Sequence, residues 1–293
     1  FDGNNKWMLS ANGTIFTYEQ EAVIPGLLKR WYAERKEMQQ KMRDCGDNEI
    51  EKEYWDKRQL VKKINLNSLY GAILNPGCRF FDIRIGQSVT LTGRCITKHM
   101  ASKVNEIVAG KYDHLGESIV YGDTDSVYFS AFQTLQKEIQ DNVIQWTKDS
   151  VVGLYDKIAQ EVNTSFTGFM SKAFHCPSTR GSVIKGGREL VASKGLFITK
   201  KRYAVLYYDI EGNRTDTEGQ EGKMKAMGLD LKRSDTPVFV QDFLSEILYM
   251  VLTGKNEQEV LEHITTFRAQ FKSRPGWEKG SPKRANNMTK YTE

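Results

Sequence analysis

Two carboxylates stand one residue apart in the stretch Tyr121-Gly122-Asp123-Thr124-Asp125-Ser126. Apolar residues flank it, Ile119 and Val120 before and Val127, Tyr128 and Phe129 after. β-Branched and aromatic residues around a Gly-Asp turn predict two strands of a hairpin. The tip then holds two negative charges, a density that is costly unless a cation neutralises it. Hard divalent cations such as Mg²⁺ prefer carboxylate oxygens and keep places for substrate phosphate. The chemistry these residues could do is phosphoryl or nucleotidyl transfer at a magnesium site. The pair does not decide this alone. Acids one residue apart recur at Asp47/Glu49, Glu49/Glu51, Glu51/Glu53, Asp209/Glu211 and Asp216/Glu218, and a solvated hairpin could carry the same residues.

A second set lies in Lys62-Lys63-Ile64-Asn65-Leu66-Asn67-Ser68-Leu69-Tyr70-Gly71. On a helix, positions i, i+4 and i+7 share a face, so Lys63, Asn67 and Tyr70 align with Gly71 beside them. That face offers a cation, an amide, a ring and a place without a side chain. Such a set could read a triphosphate and a flat base pair. The alternative is a helix that turns its polar residues outward and buries Leu60, Ile64 and Leu69. Spacing leaves the two open.

The third set is Lys200-Lys201-Arg202-Tyr203, expected inside a strand that runs on through Ala204-Val205-Leu206-Tyr207-Tyr208. Alternation would put Lys201 and Tyr203 on one face. Three consecutive bases in an apolar strand need anionic partners, either nearby acids or a nucleic-acid backbone. The net charge of +5 is compatible with a polyanion. Basic runs at 35–43, 57–63, 194–202, 223–233 and 279–284 alternate with glycine and aromatic residues, which favours a phosphate-tracking surface over a merely solvated one.

The elements that must position these residues follow from the patterns between them. Short segments at 7–10 and 13–18 read as strand or loop. Pro25-Gly26 opens a helix to about Arg43, and a second runs from about Glu49 to Leu74, giving an antiparallel helix pair. Asn75-Pro76-Gly77 breaks the second. An irregular or extended stretch at 79–84 and a helix from about Ser88 to Ala109 lead to the acidic hairpin. Residues 131–176 are expected to be mostly helical. Strands are expected at 182–185, 189–192 and 195–208. Residues 223–228 and 232–237 bracket a linker, Thr236 is the expected N-cap of a helix with Pro237 at its first position, and another helix spans 257–271. His99 is expected to be structural. Cys45, Cys78, Cys95 and Cys176 form no CxxC pair, so neither a disulfide framework nor a zinc knuckle is expected, and His175-Cys176 has no visible third group for nucleophilic work. The longest apolar stretches, such as 64–74, are broken by polar residues, so no membrane span is expected. No signal peptide pattern opens the chain, and with Phe1 first and no clear close at Glu293 both ends read as cut.

In this order and spacing the three sets closely resemble family B (alpha-like) DNA polymerases, most like the replicative enzymes of tailed bacteriophages. The resemblance covers nearly the whole chain. It implies an α+β polymerase right-hand fold: an antiparallel palm sheet with helices, a long antiparallel fingers helix pair and a helical start of the thumb. The implied boundaries are fingers at 1–75 (helices about 26–44 and 49–74, after a short palm-edge segment), palm at 76–228 and a partial thumb at 229–293. With no membrane span or signal peptide pattern expected, the cytoplasm is the default location, the host cytoplasm if phage-encoded.

The resemblance also implies roles. Asp125 is the principal metal ligand, Asp123 a weaker one, and Glu189 an acid close to the metals. Two Mg²⁺ ions join carboxylates, primer 3′-hydroxyl and triphosphate. Lys63 binds the incoming deoxynucleotide's triphosphate and can donate to the departing group, and Asn67 helps hold the fingers closed. Tyr70 and Gly71 pack on the nascent pair, and Arg35 is a phosphate-binding arginine. Where the family often has a lysine one turn later, this chain has Gln39, with Lys36 and Lys41 near. Lys201 and Tyr203 grip the primer strand beside Lys200 and Arg202, and Lys225, Lys232 and Arg233 track duplex phosphates of the primer-template DNA.

The family's upstream Asp-x-x-Ser-Leu-Tyr-Pro-Ser motif, which carries the other catalytic aspartate and the ribonucleotide-excluding tyrosine, does not occur here, nor does an exonuclease motif of Asp-Ile-Glu type. The expectation is a C-terminal-side piece of a larger or split polymerase. It would depend on a second polypeptide that carries the missing aspartate and an exonuclease domain; a sliding clamp is a further candidate partner. The competing reading is a non-catalytic nucleic-acid-binding module on the polymerase scaffold. An RNA-making or RNA-directed enzyme is disfavoured by the combination of fingers and primer-strand motifs.

Overall fold

The computed structural model describes residues 6–216 and 220–281. In chain order the elements are strands β1 (Trp7–Leu9) and β2 (Ile15–Thr17), helices α1 (Val23–Asp44), α2 (Glu49–Ile73) and α3 (Ile83–Ala109), and strands β3 (Ile119–Asp123) and β4 (Ser126–Phe129). Helices α4 (Gln136–Gln140), α5 (Lys148–Phe174) and α6 (Ser178–Gly181) follow, then strands β5 (Leu190–Thr199), β6 (Arg202–Ile210), β7 (Asn213–Arg214) and β8 (Lys223–Met227). Helices α7 (Val238–Thr253), α8 (Glu257–Ser273) and α9 (Gly276–Lys279) close the described chain. The class is α+β, with small antiparallel sheets among long helices. Among the described residues no helix is long and apolar enough to cross a membrane. The chain divides into two units, residues 1–127 with 161–185, and 128–160 with 186–293.

In the first unit, α1 and α2 form the expected hairpin. Asn48 caps α2, its side chain accepting from the Glu51 N–H. No residue of α1 is buried, and Ile73 alone is buried in α2. The pair is tied by polar contacts: Lys62 meets Glu34, Arg35 donates to Gln59 at 3.2 Å, and Lys62 lies over the Trp31 ring at 5.7 Å. The alternative of burying Leu60 and Ile64 is not what happens; both are exposed.

Helix α3 begins five residues before the expected Ser88. Asp82 is its N-cap, accepting from the Arg84 N–H at 2.9 Å, so the stretch at 79–84 is a loop and first turn and not a strand. Its apolar Phe80, Phe81 and Ile83 imitate a strand in sequence but stand exposed. The buried face of α3 holds His99, whose ring nitrogens meet Tyr112 Oη at 2.8 Å and Ser165 Oγ at 2.9 Å and whose ring stacks on Phe169. Burial pushes the imidazole pKa down, so the ring stays neutral, as suits a structural histidine. Asn105 closes the step into β3: its side chain donates to Lys111 O and accepts from the Ser118 N–H and hydroxyl. Met170, Phe174 and Cys176 form a core with Met8, Cys95 and Ile96.

The second unit is built on β6, whose residues Tyr203–Leu206 are all buried. A continuous apolar run without alternation suits a central strand, and β6 pairs β5 on one side and β7 and β8 on the other, all antiparallel. Helix α7 covers Ala204 and Leu206 through Leu248, Tyr249 and Leu252. The start of α5 packs Val151 and Tyr155 with Val191 and Tyr208.

Several expectations are corrected here. Residues 182–185 are turn and irregular chain, not strand. Of residues 131–176, 141–147 form no helix, and α4 is a single short piece. The strands expected at 189–192 and 195–208 are instead β5 and β6, with the hairpin turn between them falling at Lys200-Lys201. Residues 223–227 are strand β8 rather than the edge of a linker. Pro237, not Thr236, is the N-cap of α7, while the Thr236 hydroxyl donates to Asp230 O at 3.0 Å.

An ion triad in the second unit joins half-exposed Asp156 to the buried Arg188–Asp209 pair. Arg188 donates to Asp156 at 2.6 Å and to Asp209 at 2.5 Å, and Asp209 is 2% exposed. Removing one partner strands a buried charge. Arg188→Ala is expected to destabilise this unit by on the order of 3–5 kcal/mol, read by denaturant unfolding. A change below about 1 kcal/mol, the surface-pair range, would show that water already screens Asp209.

Candidate active site

The acidic tip forms as the sequence predicts. Asp123 ends β3, Thr124-Asp125 make a two-residue turn, and Ser126 begins β4. Asp123 turns its Oδ1 inward to accept from the Thr124 N–H at 2.9 Å and the Thr124 hydroxyl at 3.2 Å. Asp125 is exposed on the turn. One carboxylate thus stabilises the turn while the other is presented outward. Thr97 of α3 donates its hydroxyl to Thr124 O at 2.9 Å, a contact that no sequence pattern signalled.

On α2, Lys63 and Asn67 are exposed, and their side chains make no hydrogen bond or ion pair among the described residues. Tyr70 is half-buried, its hydroxyl 3.5 Å from Gly86 O in the first turn of α3. Gly71 is exposed, and a Cβ there would meet nothing within 4 Å. The Arg35–Gln59 bond brings Arg35 to α2 one turn before Lys63, since Gln59 and Lys63 are four residues apart. Arg35, Lys63, Asn67 and Tyr70 therefore share a region of the helix pair. The neighbouring Lys62 is engaged differently: its ammonium bonds to Glu34 and holds that carboxyl below its usual range. Gln39 is half-buried on α1.

In the second unit the basic set is not arranged as a strand face. Lys200 and Lys201 form the β5–β6 turn, and Lys201 adopts a left-handed backbone with φ of 62°. Lys201 and Tyr203 do not share one face of a strand, because Lys201 lies outside it. The turn lacks the glycine or asparagine that marks such loops, so alternation reads straight through it. Tyr203 is buried, its hydroxyl 3.2 Å from that of Tyr128 and its ring stacked on Phe197. Arg202 donates to Gly228 O at 3.1 Å. Gly228 has φ of 65°, and a Cβ there would fall 2.0 Å from Lys201 O, so the end of β8 lies directly against the lysine turn.

Glu189 and Lys225 pair with each other, Nζ to Oε1, at 2.6 Å. Arg233 pairs with Asp235 at 2.7 Å, which raises the guanidinium pKa and lowers that of the carboxyl. Lys232 is exposed.

Carboxylate oxygens suit a hard cation, and Mg²⁺ commonly takes only one or two protein carboxylates with substrate phosphates and water. Asp123 and Asp125 fit that pattern. Among the described residues no group of three or more His, Cys, Asp or Glu side chains could hold a metal ion by itself.

A family model described as DNA polymerase family B matches residues 4–275. The chain belongs to that family. Among its relatives are the DNA-directed DNA polymerase of Enterobacteria phage T4, 30% identical over 254 residues, and that of Escherichia phage RB69, 32% identical over 245 residues. Each alignment covers 80% of this chain and 26% of the relative, so the family B chain spans about a quarter of these phage enzymes. The DNA polymerase delta catalytic subunit of Oryza sativa subsp. japonica is 27% identical over 247 residues, covering 84% of this chain and 19% of that subunit.

Gly71 offers a test that needs no substrate. Glycine within a helix costs up to about 1 kcal/mol relative to alanine, and nothing in the described chain occupies the space a methyl would take. Gly71→Ala is expected to stabilise the free chain slightly, read as a small rise in Tm. A marked fall would mean that the position is closely packed.

Proposed function

We propose that this chain supplies part of the active site of a template-directed DNA polymerase that adds deoxynucleotides to a primer 3′ end. The observation that carries the reading is the family B match, which spans the acidic tip, the Lys63 helix and the lysine turn alike. In this reading residues 1–75 are fingers, 76–228 palm and 229–293 the start of the thumb. The substrates are primer-template DNA and a deoxynucleoside triphosphate.

Asp125 and Asp123 would hold the cation, with Asp125 the more accessible ligand because Asp123 is already engaged with Thr124. Two Mg²⁺ ions bound there would activate the primer hydroxyl and neutralise charge on the leaving pyrophosphate. Lys63 binds the triphosphate as a point charge and can donate a proton to the departing group, and Arg35 adds a planar fork for phosphate oxygens. Asn67 hydrogen-bonds along the same face and helps hold the fingers closed. Tyr70 and Gly71 offer a ring and a bare backbone to the flat nascent pair. Lys200, Lys201, Arg202, Lys225, Lys232 and Arg233 contact backbone phosphates, with the usual dependence on salt, while Tyr203 steadies the primer strand from its buried position. Glu189 is assigned to the metals and Lys225 to DNA. Each must leave the other to serve, so DNA phosphate drawing Lys225 away would free Glu189.

The remaining catalytic aspartate is assigned to residues outside this sequence, on a second polypeptide that also carries the exonuclease domain; a sliding clamp is proposed as a further partner. Primer extension tests this. The purified chain is expected to show little, and adding a polypeptide that bears the Asp-x-x-Ser-Leu-Tyr-Pro-Ser motif is expected to restore it. Robust extension by this chain alone would overturn that assignment.

In the reconstituted enzyme, Asp125→Asn is expected to lower extension by roughly a thousandfold, the range for losing a main electrostatic stabiliser of the transition state. DNA affinity should stay within about twofold, because a tip carboxylate contributes no counterion release. Equal extension by the variant and parent would remove the tip from the chemistry. Lys63→Ala should raise the KM for the deoxynucleotide by about tenfold, the loss of one charged hydrogen bond; an unchanged KM would exclude triphosphate binding by Lys63.

A further inference from the structure

The tip of a two-residue hairpin has few constraints of its own, yet both sides of Thr124 are held. On its N-terminal side the N–H and the hydroxyl donate to Asp123 Oδ1. On its C-terminal side the carbonyl accepts from the Thr97 hydroxyl at 2.9 Å, from a helix 27 positions earlier in the chain. That carbonyl belongs to the peptide that leads into Asp125, so its orientation sets the direction in which the Asp125 side chain leaves the turn.

Thr97 does not need this bond. A helical threonine routinely donates to a carbonyl in the preceding turn, and Gly93 O lies 3.1 Å from its hydroxyl. A hydroxyl has one proton, and the shorter contact is the one to Thr124. The group that gains is the tip. Its exposed carbonyl would otherwise bond to water and let the turn rock.

Resting on the metal-binding reading of the tip, we propose that Thr97 is a positioning residue for Asp125: its hydroxyl fixes the Thr124 carbonyl and so aims the carboxylate that receives the divalent cation. Outer groups that orient metal ligands commonly contribute 10- to 100-fold in affinity.

Two measurements on the chain test this, one of which needs no metal. In hydrogen exchange, Thr97→Val keeps the shape and removes the hydroxyl. Amides of residues 122–127 are expected to exchange faster, with those of the α3 core unchanged, and Thr97→Ser is expected to restore parental rates. In Mn²⁺ titration followed by electron paramagnetic resonance, Thr97→Val is expected to weaken binding by about tenfold, and Thr97→Ser to stay within about twofold of the parent.

If Mn²⁺ binds the parent, is lost in Asp125→Asn and is unchanged in Thr97→Val, the positioning role is wrong and the metal site stands. If Asp125→Asn binds Mn²⁺ as the parent does, the metal site at the tip is wrong, and the positioning role falls with it. Exchange in Thr97→Val that matches the parent at 122–127 overturns the pinning itself.

Discussion

Like charges one residue apart on a turn repel, and the hairpin must accommodate that repulsion before it can do anything else. It does so by giving its two carboxylates unequal work. Asp123 turns one oxygen, Oδ1, to both the Thr124 N–H and its hydroxyl, which closes the turn. Asp125 remains exposed at the bend. Asp123 thereby serves the turn itself, while the Asp125 carboxylate takes no part in closing it. The scaffold around the tip follows from this division. Asn105 fixes where β3 starts, and α3 reaches the turn through Thr97.

The other reading elements show the same separation of roles. Lys62 and Lys63 are adjacent, yet one holds the helix pair together through Glu34 and the other stands open. The pair has scarcely any buried apolar residues. Half-buried apolar side chains such as Leu27, Leu28, Trp31, Leu66 and Leu69 share the work of holding it with the Lys62–Glu34 and Arg35–Gln59 contacts.

Much of this was legible in the residues themselves. The acidic hairpin announced itself through aromatic and β-branched flanks, and α1 and α2 through their length and the Pro-Gly and Asn-Pro-Gly punctuation. What misled was apolar sequence without the usual punctuation. The β5–β6 turn uses two lysines, one of them left-handed, so the period-two pattern ran through it unbroken. Phe80, Phe81 and Ile83 looked like a strand because their exposure on the surface cannot be seen in a string of letters. Thr97 was invisible for a different reason: its partner is a backbone carbonyl, which every residue has, and proximity to it is purely a matter of tertiary structure. The exchange of Glu189 and Lys225 as each other's counterions was hidden in the same way.

The glycine at 228 carries an implication for how this part of the molecule can vary. Its missing side chain is what lets the close of β8 lie against the Lys201 carbonyl, and its backbone occupies a region that other residues enter reluctantly. The lysine bend and the tail of that strand are consequently coupled in this fold. Transplanting the bend into a related scaffold without its companion glycine would prise the two apart and redirect the basic charges they carry.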